Sequence, residues 1–278
     1  MALSAICFAV MALAAKLASA NLPGGQVALL RFSFMMLPVL AVPSLAKKAV
    51  TFQRLDILFY RGVFGGIAVL LYFLAIAHIP VGIATLLNYS SPIFSVAFAS
   101  IFLGERADRR LVWPLAAAVT GVVLVVLGGE REGFHLGTWE AVGLGSSVLS
   151  GAAVTAIRAA RRTEGSWSIY ASLTLFGLLA TAPFGIAGFR APTSREWLLL
   201  ATVGVTSVAA QLLMTYAYRW VTNLQAGVMA QLTVVLSMLF GAVFLGDRLA
   251  PIQLLGSALT LSGVVGVIWL QSTPRAIE

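Results

Sequence analysis

Charge is what this chain has least of. Asp, Glu, Lys and Arg make up only 10% of its 278 residues, where a soluble domain carries roughly 25%. Cysteine is almost absent: Cys7 stands alone, which excludes an internal disulfide and a thiolate metal cluster. Two histidines, His78 and His135, are too few for a multi-histidine metal site. No GxxxxGK[ST] loop is present, so ATP-driven transport has no support, and HExxH and Gly-x-Ser-Gly are missing, so a membrane protease has none either. Nothing calls for a cofactor. The formal net charge is +8, but no Lys/Arg tract or basic–aromatic face accompanies it, and nucleic acid is excluded as a partner.

What remains is apolar. Hydrophobic residues make up 60% and the mean hydropathy is +0.96, the composition of a polytopic membrane protein with the lipid bilayer as its surroundings. Met1–Ala20 ends in Ala18-Ser19-Ala20, as a signal-peptidase site would. However, no charge precedes the apolar run and Lys16 interrupts it, so it reads as a first transmembrane helix.

Hydropathy and punctuation predict ten spans: Ala2–Ala20, Gly25–Leu45, Ile57–Ile79, Gly82–Leu103, Leu111–Gly128, Trp139–Ile157, Trp167–Gly188, Trp197–Tyr218, Leu224–Leu245 and Pro251–Leu270. Both termini then share one side. Twelve cations fall there: Lys47, Lys48, Arg54, Arg61, Arg106, Arg109, Arg110, Arg158, Arg161, Arg162, Arg219 and Arg275. Five fall opposite: Lys16, Arg131, Arg190, Arg195 and Arg248. The positive-inside rule makes the termini cytoplasmic.

Laid on itself with Phe102 over Phe244, the chain matches its own second half: Phe102-Leu103-Gly104-Glu105-Arg106 falls on Phe244-Leu245-Gly246-Asp247-Arg248. The same register, without a gap, sets Ser4 on Ser146, Lys16 on Arg158, Tyr89 on Gln231 and Ser91 on Thr233. Five spans per unit is an odd number, so the second unit enters the membrane upside down. The fold class is therefore all-α, ten transmembrane helices as two inverted five-helix repeats, 1–136 and 137–278. Such repeats mark secondary transporters with a site between the halves.

These motifs carry a resemblance. ATLLNYSSPIFSVAFASIFLGER…VTGVVLVV, repeated as AGVMAQLTVVLSMLFGAVFLGDR…LSGVVGVI, is similar to the paired EamA-type repeats of the drug/metabolite transporter superfamily. Arg31 in ALLRFSFMMLPVL resembles the arginine usual in the second span. The resemblance implies a cavity lined by the third, fourth, eighth and ninth spans, and export of amino acids, related metabolites or drugs. Val234 stands where the first repeat has Pro92, so a kink is expected in one half only.

All ten acids lie in loops or near span ends, so no mid-membrane carboxylate is available for proton coupling. The site candidates are neutral: Asn88, Tyr89 and Ser91 in the fourth span, their counterparts Gln231 and Thr233, Gln211 in the eighth, and Tyr72 in the third. Amides and hydroxyls between aromatic walls suit a small amphipathic ligand, although each singly also fits interhelical hydrogen bonding. His78 joins them because an imidazole can take up and release a proton, with an ordinary interfacial histidine as the competing reading. Arg31, two turns inside its span, either binds a substrate carboxylate or bridges backbone carbonyls between helices, the second being preferred. Lys16 and Arg158 are expected to snorkel to headgroups, Glu105 and Asp247 to pair with a nearby Arg, and Tyr218 and Trp220 to anchor the interface. Thr202-Val203-Gly204-Val205 echoes part of a potassium filter but lacks its Tyr-Gly. The expected function is a bacterial inner-membrane exporter of small metabolites, amino acids foremost, acting as a monomer or homodimer. The competing readings are an exporter of drugs, nucleosides or sugar phosphates, and a channel.

Overall fold

A computed structural model describes the chain except for residues 42, 45–46, 48–51, 104–108, 128–136, 161–162, 218–222 and 273–278. Every regular element among the described residues is helical: α1 Ala2–Ala18, α2 Gly24–Ala41, α3 Leu55–His78, α4 Val81–Tyr89, α5 Ser91–Leu103, α6 Val112–Leu127, α7 Thr138–Ala160, α8 Ser166–Ala187, α9 Ser194–Ala217, α10 Asn223–Phe240 and α11 Pro251–Ser272. Seven apolar helical runs are long enough to cross a bilayer, α4 and α5 counting as one, and three more apolar helices are shorter. Each of the ten expected spans falls on one of these runs. The expected motif Glu105–Arg106, the side chain of Arg158, and Tyr218, Trp220 and His135 lie outside the described residues.

Local chemistry sets the helix ends. Pro251 opens α11, where a missing N–H costs nothing. At α9, Glu196 Oε2 accepts from Thr193 N–H at 2.7 Å. Thr193 Oγ1 accepts from Glu196 N–H at 3.4 Å in return, which makes a reciprocal cap. The fourth span is broken, as expected from Pro92. α4 stops at Tyr89, Ser90 turns, and Pro92 sits in the first turn of α5, where its ring clashes with no preceding carbonyl. Its counterpart α10 runs unbroken past Val234 and ends in a π-turn, Gly241–Leu245, closed by Gly246 at φ 69°.

Helices pack across the two halves of the chain. α1 lies on α9, and α7 on α3; α6 and α11 pair with each other, as do α2 and α8. Many of these contacts come in pairs that the repeat register relates at both ends. Ser4 Oγ donates to Ala210 O at 2.8 Å and Ser146 Oγ to Ala68 O at 2.9 Å. Gly62 faces Phe176, and Gly204 faces Phe34. Gly121 abuts Gly256 and Thr260, and Gly263 abuts Pro114 and Ala118. At these points the backbones approach so closely that a Cβ has no room, which is what small-residue spacing does for helices in lipid.

Arg61 departs from expectation. It is not a loop cation: it sits in the second turn of α3, 7% exposed, with its guanidinium laid against Gly65. Where no side chain fills the Gly65 position, the long Arg61 stem folds in rather than reaching out.

Candidate substrate site

Five helices bring polar side chains to one buried junction. Arg31 of α2 is 4% exposed, and its Nε donates to Ser207 Oγ of α9 at 3.0 Å. Its guanidinium carbon lies 5.0 Å from the Phe32 ring centroid and 5.6 Å from that of Phe73. Aromatic faces therefore hold the charge. The phenols of Tyr170 on α8, Tyr72 on α3 and Tyr89 on α4 are within electrostatic reach of it. The preferred expectation for Arg31 was a bridge between backbone carbonyls. The bond instead goes to a side-chain hydroxyl, because Ser207 is the small polar residue at the α2–α9 crossing.

Each of two aromatics is fixed by its own bond. Tyr72 Oη lies 2.9 Å from Thr85 Oγ1; Thr85 in turn donates to Val81 O at 2.7 Å, so the phenol is the donor of the pair. Tyr170 donates to Met35 O at 2.8 Å, one turn beyond Arg31. Tyr72→Phe, which removes one such donor and no bulk, should lower stability by about 1 kcal/mol. Thermal unfolding in detergent would register this as a small downward shift.

Asn88 forms a second polar cluster. Its Nδ2 donates to Ser146 Oγ and, at 3.2 Å, to Ser150 Oγ, both on α7. Ser91 is half-buried at the start of α5, where its carbonyl meets Gly151 of α7. On α10, Gln231 and Thr233 are buried, and the hydroxyls of Thr233 and Ser237, one turn apart, find no partner among the described residues. Gln211 is half-buried on α9, one turn from Ser207. His78 is not brought to these groups. It is exposed at the end of α3, its Nδ1 2.8 Å from Leu74 O, and its ring stacks on Trp139 at 3.5 Å between centroids.

The helix ends beside His78 are tied together. Lys16 Nζ donates to Ile79 O at 2.9 Å and Ala77 O at 3.4 Å, so it caps α3 instead of snorkelling. Asp247 turns away from exposed Arg248 and accepts from Val81 N–H at 3.2 Å, within electrostatic reach of Lys16. A carboxylate beyond its own helix end opposes the local dipole, whereas at the α4 N-terminus it is favoured. Asp247→Ala should therefore cost about 1 kcal/mol, a drop of roughly 2–4 °C in unfolding temperature. Asp247→Asn, which keeps the acceptor, should cost less.

Ser146, Ser150, Ser207 and Tyr170 were not singled out in the sequence. Only Ser146 carried a signal there, as the repeat counterpart of Ser4.

The buried polar junction lies inside a bundle of apolar helices, seven of whose runs are long enough to cross a bilayer, as in a multi-pass membrane protein. The profile of the EamA-like transporter family matches residues 1–127 and again 137–269, and the chain belongs to that family, within the drug/metabolite transporter superfamily. The pseudopaline exporter CntI of Pseudomonas aeruginosa is 30% identical over 96% of this chain and 91% of its own. A probable terminal-alkyne amino-acid exporter of Streptantibioticus cattleyicolor is 29% identical over 68% of this chain and 64% of its own. A solved crystal structure shares the fold at a TM-score of 0.61 with 21% identity, over 97% of this chain and 95% of that one.

Proposed function

We propose that the protein is a ten-span secondary transporter of a bacterial inner membrane, exporting small metabolites, amino acids (aromatic ones included) foremost. Alternating access would run through the junction between two inverted five-helix repeats, with both termini cytoplasmic. The observation that carries this reading is the junction itself. Arg31, Tyr72, Tyr89, Tyr170 and Ser207 converge from five helices, at a depth where lipid-facing helices have no use for polar groups. The contact pairs related by the repeat register support the repeats, as does the family match to each half in turn. The orientation rests on the cation bias, which survives the loss of Arg61 to the interior of α3.

The test is radiolabelled counterflow into proteoliposomes of purified protein, with a panel of amino acids inside. Saturable exchange is expected. Because the acids all lie in loops or near span ends, exchange should be independent of an imposed pH gradient. Folded protein that exchanges no amino acid overturns the substrate class and moves the panel to drugs, nucleosides and sugar phosphates. Single-channel steps in planar bilayers would overturn the carrier.

A further inference from the structure

We propose that Arg31 is the anchor for a carboxylate group of the transported molecule. The inference rests on the exporter reading and names the chemistry that its substrates share.

Three observations carry it. First, the guanidinium is incompletely used. Nε is bound to Ser207, but Nη1 is buried without an acceptor among the described residues. A buried donor left without an acceptor is costly, and more so when it is charged.

Second, nothing described in the chain balances the charge. The groups within electrostatic reach of Arg31 are three neutral phenols, and no carboxylate is among them. The described acids stand elsewhere, in loops or at helix ends: Asp56 on Arg54, Glu164 on the backbone of Gln53 and Arg54, Glu196 on Thr193, Asp247 on Val81, and Glu140 in the first turn of α7. An unpaired buried cation at membrane depth is expensive, and an anionic ligand removes that expense on arrival.

Third, packing does not require the arginine. The repeat register places Leu173 and Gly65 where Arg31 and Ser207 stand. There a Leu173 methyl lies 2.9 Å from where a Cβ on Gly65 would be. That crossing closes with leucine on glycine, with Arg61 folded over it from one turn away on α3. Both crossings therefore hold a buried guanidinium, and Arg61 Nε also lacks a partner among the described residues. What sets the Arg31 crossing apart is the Ser207 hydroxyl, which orients the charge across the helix boundary.

The ligand chemistry follows. One guanidinium charge balances one carboxylate, not the two charges of a phosphate monoester. The phenols of Tyr72, Tyr89 and Tyr170, with the Phe73 ring, give the remainder of the molecule hydroxyl and aromatic contacts. Ser207 is a positioning residue: it holds Nε and so turns Nη1 toward the ligand.

The experiment pairs carboxylates with their own amides. Wild-type protein in detergent is titrated with the amino-acid panel and with the matching α-carboxamides, following thermal stabilisation, and the same compounds compete in counterflow. At least one carboxylate is expected to stabilise the protein with an apparent affinity about tenfold or more above its amide. Arg31→Gln should erase that difference, Arg31→Lys should retain part of it through charge alone, and Ser207→Ala should reduce it. Binding that favours no carboxylate over its amide overturns the proposal without recourse to any variant. So does a folded Arg31→Gln protein with the wild-type preference. Carboxylate-selective binding without exchange would leave the Arg31 site standing and overturn the exporter reading instead.

Discussion

Asn88→Asp is expected to damage exchange more than Asn88→Ala does, although aspartate is the closer match in shape. The reason is a count of hydrogens. Asn88 Nδ2 gives both of its visible bonds as a donor, to Ser146 and Ser150. Ser146 has one hydroxyl hydrogen, already given to Ala68 O at 2.9 Å. An ionised aspartate offers only acceptors, so it would face the Ser146 oxygen with no hydrogen between them. It would also place a charge inside the span, which costs about 2.5–3.5 kcal/mol on insertion scales. Alanine merely leaves the serines with less to bind, roughly 1–3 kcal/mol. Counterflow, with size-exclusion profiles as the folding check, should rank wild type above Asn88→Ala and Asn88→Asp last. An aspartate variant as active as the alanine variant would remove Asn88 from its donor role.

The second large effect is structural. A Cβ on Gly121 would run into the Thr260 backbone nitrogen and lie 2.5 Å from Gly256 O. On Gly263 it would run into Ala118 N and lie 2.6 Å from Pro114 O. These obstacles are backbone, and no rotamer change relieves them. Gly121→Val and Gly263→Val should each prise α6 from α11, at a cost toward or beyond the top of the usual range of about 1–3 kcal/mol for overpacking. The unfolding temperature should fall by roughly 5–10 °C, or monodisperse protein should be lost. Gly145→Ala is the control: its Cβ would meet only the end of the Leu71 side chain, at 3.4 Å. Equal tolerance at all three positions would contradict the close contact between α6 and α11.

The ten apolar helical runs, seven of them long enough to cross a bilayer, were legible because hydropathy alone reports what lipid demands. Their ends matched within a few residues wherever proline, glycine or a capping pair punctuated the run. The break at Ser90 was legible through Pro92, and the unbroken α10 through Val234. The π-turn at Gly241–Leu245 was not, since nothing in Gly-Ala-Val-Phe-Leu distinguishes a wider turn from an α-turn. For the site, the oddity of Arg31 was plain from its charge. Its partner Ser207 was not, because a serine in an apolar helix is common and most bond their own backbone. The same limit hid Ser146 and Ser150 as partners of Asn88. Asp247 misled for a related reason. A carboxylate beside an arginine in sequence suggests an ion pair, and only the tertiary fold brings the Val81 amide to it.

The exchange of first helices between the halves has a consequence for how the protein is made. α1 packs on α9, and α7 packs on α3. When a ribosome has released only residues 1–136 into the membrane, Ser4 has no Ala210 carbonyl, Arg31 has no Ser207, and the Gly62 face of α3 has no Phe176. The early product thus lacks the partners of these groups, although helices of the first half such as α2 and α3 do pack on each other. Quality control in the cell should treat a chain truncated at mid-length as unfinished rather than as half a transporter. Two separately encoded halves should accumulate only when synthesised together.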